Sequence, residues 1–340
     1  MSILFDEIHQ QPRAIEHALT HNLLTAKALV SEIKRRDIRY VVLAARGTSD
    51  NAATYAKYLW QITGGLPCGL AAPSIHTLYG AKVNFRDALV VGISQSGAGE
   101  DINEVMAQAK QNGALTAAIT NTAGSPLSNI ADHVLMCEAG LERAVAATKT
   151  YTTTMTLVAL VGALLSGDEK LLQDVLNLPG LAEATLDMLS GRVSSVASTL
   201  FHAERIVTVA RGIHLCTAIE ASLKIAETTG TATQAYSSAD LLHGPIAAIG
   251  NRTPVFVFQP NGATYASLNA VIEKLIGRGA RVIRLTSDHH ADVPLIESAT
   301  ELLAPIVDII PAQLLAYHLT VTRGLDPDHP SGLSKVTITR

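Results

Sequence analysis

The sequence is poor in aromatic residues: Phe, Trp and Tyr make up 4% of 340 positions, although 48% are hydrophobic. A core must therefore be packed from Ala, Val, Leu and Ile, which is an α/β composition. Cysteine is equally scarce. Cys68, Cys137 and Cys216 lie far apart and form no C-x-x-C pair, which excludes a disulfide framework or structural zinc and fits a reducing cytoplasm. There is no basic surplus either. Lys and Arg number 26 against 30 Asp and Glu, the net charge is −4, and no Lys/Arg tract exists, so nucleic acid is not an expected partner. The first residues, Met1 to Gln11, carry no charged-then-apolar leader, and the apolar run Leu157 to Leu165 is too short to span a bilayer. No membrane partner is expected, and the location expected is cytoplasmic. His289 and His290, with Asp288 and Asp292, could suggest a metal, but a solvated turn at a strand end explains them more simply and no metal is expected.

What is present is organised around Ala88 to Glu104. Leu89, Val90, Val91 and Ile93 read as a strand buried on both faces of a parallel sheet. Ser94-Gln95-Ser96-Gly97 follows, and Asp101 to Glu104 starts a helix. Hydroxyls, glycines that admit a close ligand and free helix N–H groups together make a candidate phosphate loop. An ordinary Ser/Gly turn would read the same way.

The chain before it begins with one amphipathic helix, Phe5 to Arg36, in which Pro12 takes a first helical position and Ile15, Leu19, Leu23 and Ala26 recur at helical spacing. A strand over Tyr40 to Ala45, the loop Arg46-Gly47-Thr48-Ser49 and a helix from Asn51 to Trp60 come next. After the serine loop and its helix, Thr116 to Thr120 makes another strand. This β-α-β-α-β order predicts a doubly wound parallel sheet with ligands at the carboxyl ends of its strands. The second half repeats the first: Ile206 to Gly212 mirrors Val41 to Gly47 and Gly262 mirrors Gly97, both at an offset of 165 positions. In place of the serine loop the second copy has Gln259-Pro260-Asn261-Gly262, where proline removes a donor N–H, so one phosphate loop per chain is expected. The expected segments are a helical start at 1–37, a first domain at 38–165, connecting helices at 166–200 on either side of Pro179-Gly180, a second domain at 201–325 and a tail at 326–340.

Five motifs in order, Arg46-Gly47-Thr48-Ser49, Ser94-Gln95-Ser96-Gly97, Val145 to Thr150, Glu220 to Glu227 and Leu242-His243-Gly244-Pro245, resemble the sugar isomerase (SIS) domains, as they occur in the isomerase half of glucosamine-6-phosphate synthase. The resemblance implies two tandem SIS domains and a sugar-phosphate substrate. The chain starts almost directly at the first helix, so no built-in ammonia source is expected, and it looks most like the stand-alone glucosamine-6-phosphate deaminases. An isomerase or deglycase acting on galactosamine or fructosamine 6-phosphate stays open as an alternative, as does a sugar-phosphate sensor.

Carried over by position, the resemblance puts the sugar phosphate against Thr48, Ser94, Gln95 and Ser96, near the backbone of Val145 to Ala147, with Gly99 and Ser334 also at the substrate. Gly99 stands where the family has a threonine and Ala147 where it has a serine. The resemblance also implies Glu227 as proton-transferring base, Lys224 as its neighbour, His243 as ring-opening group donated by the neighbouring subunit of a homodimer, and Lys335 as a Schiff-base amine. No cofactor is implied. Glu220, Lys224 and Glu227 fall at i, i+4 and i+7, on one helix face, where a lysine can hold a carboxylate in its ionised, basic form. A solvated, salt-bridged face would show the same spacing. Lys335 to Thr339 alternates like a strand, so a docked tail is expected there rather than a loose end.

Overall fold

The computed structural model describes residues 2–189 and 191–335. Its chain forms two compact units that are not continuous in sequence. One holds residues 13–142 and 149–179; the other holds 2–12, 143–148 and 180–335. The chain opens with α1 (Ile3–His9) and α2 (Gln11–Arg35), two helices where one was expected. The break follows from Gln11, whose fully buried amide donates to Ile8 O and to Gln313 Oε1, both at 2.9 Å, which fixes the chain at the junction.

The first sheet unit is β1 (Tyr40–Ala44), α3 (Thr48–Gly64), β2 (Cys68–Leu70), α4 (Ser74–Thr77), β3 (Ala88–Ile93), α5 (Glu100–Gln111), β4 (Leu115–Thr120), α6 (Pro126–Ile130), β5 (His133–Met136) and α7 (Lys149–Ser166). Every residue of β3 and β4 is buried, as a doubly covered parallel sheet demands. The strand order is β2-β1-β3-β4-β5, all parallel, with Val42 of β1 beside Val90 of β3. Helices close both faces. Val90 and Ala118 pack with Val105, Met106 and Leu127 on one side, and on α3 Trp60 is buried with its indole N–H donating to Val158 O of α7 at 2.9 Å.

Three helices follow, α8 (Glu169–Leu176), α9 (Leu178–Leu189) and α10 (Arg192–Ser198). Asp168 caps α8 by accepting from Lys170 N and Leu171 N. Pro179-Gly180, expected between helices, lies instead in the first turn of α9, where the missing proline N–H costs nothing.

The second sheet unit comprises β6 (Arg205–Ala210), α11 (Leu215–Thr229), β7 (Ala232–Ser237), α12 (Ser238–Leu242), β8 (Pro254–Phe258), α13 (Tyr265–Gly277), β9 (Arg281–Thr286), β10 (Val293–Pro294), α14 (Ala304–Asp308) and α15 (Ile310–Thr322). Its order, β10-β9-β8-β6-β7, is that of the first sheet read from the other edge, so the repeat seen in the sequence is a repeat of topology. Gly113 and Gly279 show how closely it holds: each precedes the fourth strand of its sheet, at φ of +80° and +79°. Among the described residues the helical run long and apolar enough to cross a membrane is Ala304–Thr322, not Leu157 to Leu165, and 83% of its most apolar window is buried inside the protein.

The tight packing over β3 gives a test. A Cβ on Gly92 would sit 2.6 Å from Leu127 Cδ1 and 3.0 Å from Met106 Cγ. Gly92→Ala is expected to destabilise the protein by about 1–3 kcal/mol, the usual cost of overpacking, read from the midpoint of urea unfolding.

Candidate functional site

The serine loop is built by the strands on either side of it. Ser94 N donates to Ile119 O of β4 at 3.1 Å, and Gln95 O accepts from Asn121 N at 3.0 Å. Within the loop Ser94 Oγ accepts from Gly97 N at 3.1 Å and Ser96 Oγ from Ala98 N at 3.3 Å. Gly97 has φ +63°, and a Cβ there would fall 2.2 Å from Ser125 Oγ, so the turn excludes any side chain. Gly99 ends the loop as the residue before α5, in extended conformation. Ser94, Gln95, Ser96 and Gly99 are all partly exposed.

Because β1 and β3 are parallel neighbours, the loops that follow them emerge side by side. Gly47 at φ +53° turns the chain straight into α3, whose first residue is Thr48. The helix thus starts within the Arg46 to Ser49 motif rather than at Asn51. The two loops are tied by Arg46, whose Nε donates to Asp101 Oδ2 at 2.7 Å, with the aspartate side chain 2% exposed. The sequence reading missed this pair. A charge-assisted bond across two loops leaves no local pattern.

The second copy of the loop is occupied by the chain itself. Ala263 N donates to Glu301 Oε2 at 2.7 Å and Thr264 Oγ1 donates to Glu301 Oε1 at 2.8 Å, just ahead of α13. A carboxylate already sits on the donors of this turn, and Pro260 supplies no N–H to it. The glutamate lies 39 positions beyond Gly262, too far for any motif to mark it.

The residues expected to do acid–base work lie in the other unit. Glu220, Lys224 and Glu227 do share a face of α11, but the face is buried rather than solvated. Lys224 Nζ is 3.4 Å from Glu220 Oε1 and 2.5 Å from Glu227 Oε2, with side-chain exposures of 2% for Lys224, 0% for Glu220 and 25% for Glu227. The triad is thus anchored at one end and open at the other. Glu227 lies in the wall of a cavity of about 640 Å³ that is also lined by residues between Gly324 and Leu333, including Asp326 and His329. His243 is exposed at the end of α12, where its backbone N–H donates to Asp240 O. Val145 and Ala147 are half-buried in an irregular segment, residues 143–148. Lys335 Nζ donates to the carbonyl of Ala144 at 2.7 Å, which brings the amine to that segment; Ser334 beside it is exposed. The alternation expected over Lys335 to Thr339 falls, beyond Lys335, outside the described residues. Among the described residues no group of three or more His, Cys, Asp or Glu could hold a metal ion; Asp288 instead accepts from the Tyr265 hydroxyl and from His290 N.

Two parallel α/β sheets of the same order, one with a hydroxyl-rich loop at its strand ends and the other with a buried carboxylate–lysine face, define a duplicated doubly wound protein. Comparison with known proteins makes the class specific: the SIS domain family matches residues 36–164 and 199–323, and the chain belongs to that family. Glutamine--fructose-6-phosphate aminotransferase [isomerizing] from Thermococcus kodakarensis is 35% identical over 354 residues, covering 98% of this chain and 57% of that enzyme. The chain thus spans little more than half the length of such curated relatives. A crystal structure from Silicibacter pomeroyi DSS-3, provisionally classed as a phosphosugar isomerase, superposes with a TM-score of 0.89 at 30% identity, over 96% of this chain and 100% of the other. Glucosamine-6-phosphate deaminase from Thermotoga maritima shares the fold, with a TM-score of 0.83 at 20% identity over 99% and 100% of the two chains.

The loop geometry carries its own test. Ser94→Ala and Ser96→Ala each remove one hydroxyl and the single loop bond it accepts, while the backbone bonds to β4 and Asn121 remain, so stability should fall by only about 1 kcal/mol. Hydrogen bonds to charged groups contribute about 1.5–3 kcal/mol, and affinity for a sugar phosphate should fall about ten- to hundred-fold in calorimetric titration. Unchanged affinity in both variants would remove the loop from the site.

Proposed function

We propose that the chain is a phosphosugar isomerase of the amino-sugar class, converting glucosamine 6-phosphate and water to fructose 6-phosphate and ammonia. The observation that carries the reading is Glu227, a partly accessible carboxylate ion-paired to buried Lys224 and set in the wall of a cavity of about 640 Å³. Volumes of this order are typical of small-molecule sites. A carboxylate so placed can move a proton between adjacent carbons, work typically worth ~10²–10⁴-fold.

In this scheme the substrate phosphate is held by Thr48, Ser94, Gln95 and Ser96. His243 assists ring opening. Glu227 takes the proton from C2, leaving a 1,2-enolamine, and returns it to C1 to give the 2-imino sugar. The amine of Lys335 attacks C2 and expels ammonia, and water then releases the ketose from the resulting imine and restores the amine. Val145 and Ala147 lie along the sugar, with Ser334 beside the lysine. Support for the reaction class comes from membership of the SIS family and from the names of its relatives, an isomerizing glutamine--fructose-6-phosphate aminotransferase and a glucosamine-6-phosphate deaminase.

The exposure of His243 supports a further part of the reading: the site is completed in a two-fold dimer by the histidine of the neighbouring subunit.

Ammonia release measured over glucosamine, galactosamine, N-acetylglucosamine and fructoselysine 6-phosphates tests the reaction. Glucosamine 6-phosphate is expected to give stoichiometric ammonia and ketose. Ammonia from another member of the panel would move the substrate, and tight binding without turnover of any of them would make the protein a sensor. Glu227→Gln should lower kcat by at least about a hundredfold with little change in KM. The dimer is tested by mixing. Glu227→Ala and His243→Ala homodimers should each be nearly inactive, while co-refolded chains should regain about a quarter of wild-type activity, since half the dimers are mixed and each has one complete site. No recovery would place the histidine in its own chain's site.

A further inference from the structure

We propose that Glu7 is a positioning residue for Lys335 and for the sugar-side segment 143–148. The inference rests on the reading of Lys335 as the reacting amine. Glu7 is 3% exposed on α1, and its carboxylate accepts from the backbone N–H groups of Arg143 at 2.6 Å and Ala144 at 3.2 Å. The carbonyl of the same Ala144 accepts from Lys335 Nζ at 2.7 Å. Glu7 therefore holds the amide side of the residue whose carbonyl side holds the lysine.

The same helix grips the closing segment a second time. Asp328, seven positions before Lys335, accepts from Ile3 N at 2.9 Å and Leu4 N at 2.8 Å, satisfying two of the free N–H groups at the start of α1. The bonds form a circuit: α1 holds Asp328, the chain runs on to Lys335, Lys335 holds Ala144, and Ala144 is held by Glu7. The helix itself is seated on α15, with the Phe5 and Tyr317 rings 5.0 Å apart.

Segment 143–148 has no helix or strand to orient it up to Thr148. Bonds to an ionised acceptor are roughly twice as strong as neutral ones, so the paired carboxylate bonds fix the Arg143–Ala144 backbone, and the carbonyl that receives the lysine amine projects from that fixed Ala144. A glutamine at position 7 would keep one acceptor but turn an N–H₂ toward the second backbone N–H, so one bond is lost and the peptide is freed to rotate. Asp326, His329 and Glu227 face the nearby cavity but do not replace these bonds.

The test uses the whole chain as wild type, Glu7→Gln and Glu7→Asp. Amide hydrogen exchange over residues 143–148, borohydride trapping of Lys335 with glucosamine 6-phosphate, and kcat and KM are measured beside the unfolding midpoint. In Glu7→Gln the amides of Arg143 and Ala144 should exchange at least about tenfold faster, the loss of one hydrogen bond. Trapping rate and kcat should fall by at least a similar factor, while KM stays within about twofold because the phosphate loop is untouched. Glu7→Asp should recover part of the rate. Wild-type exchange at both amides, or a fall in kcat that only follows global stability, would overturn the proposal. If the wild type itself takes no label on Lys335, the lysine chemistry fails, and with it the positioning of a reacting amine. Exchange would then still report whether Glu7 holds the segment.

Discussion

Parallel pairing of β1 with β3 is the constraint on which the candidate phosphate loop of the first unit depends. Parallel strands end on the same side, so the turns after them must emerge together, and neither loop needs residues of its own to find the other. Thr48 and the serine loop are neighbours for that reason. The Arg46–Asp101 bond then locks two turns that the sheet has already placed. In the second unit β6 and β8 are parallel neighbours in the same way, so the geometry that could hold an anion is inherited twice.

The two copies differ in what fills that geometry. In the first, Gly97 lies so close to Ser125 that only a glycine fits, and small hydroxyl side chains surround the turn. In the second, Pro260 removes one donor and the Glu301 carboxylate takes two others. Glu301 thus occupies, from within the chain, the donors that an anion would need at this turn. What the second unit carries instead is the charged face of α11.

That face holds buried charge. Desolvating Glu220 and Lys224 costs several kcal/mol per ion, and the cost is tolerated only when each has a close opposite charge. Lys224, between two carboxylates at 3.4 Å and 2.5 Å, provides it for both. Glu227 is the end of this chain of charges that stays within reach of the cavity, and its position is fixed by partners that are themselves held in the core.

Much of this was legible in residues alone. The central strands are continuous runs of Val, Leu, Ile and Ala, the glycines at 97 and 262 mark equivalent turns, and the offset of 165 predicts two copies of one topology. The short edge strands Cys68–Leu70, His133–Met136 and Val293–Pro294 were not legible, because paired or covered on fewer sides they need no apolar run. The helix break at Gln10 and the place of Pro179 inside α9 depend on what packs against them. The i, i+4, i+7 pattern of Glu220, Lys224 and Glu227 fits a solvated face and a buried one equally well, and only the packing of α11 in the second unit decided for burial. Glu7, Glu301 and Asp328 are acidic residues in unremarkable local surroundings whose partners lie tens to hundreds of positions away. Periodicity and turn chemistry act over a few residues and are written in the sequence, whereas the desolvation of a charge and the donor it meets are set by distant parts of the chain, and for these the tertiary structure alone was decisive.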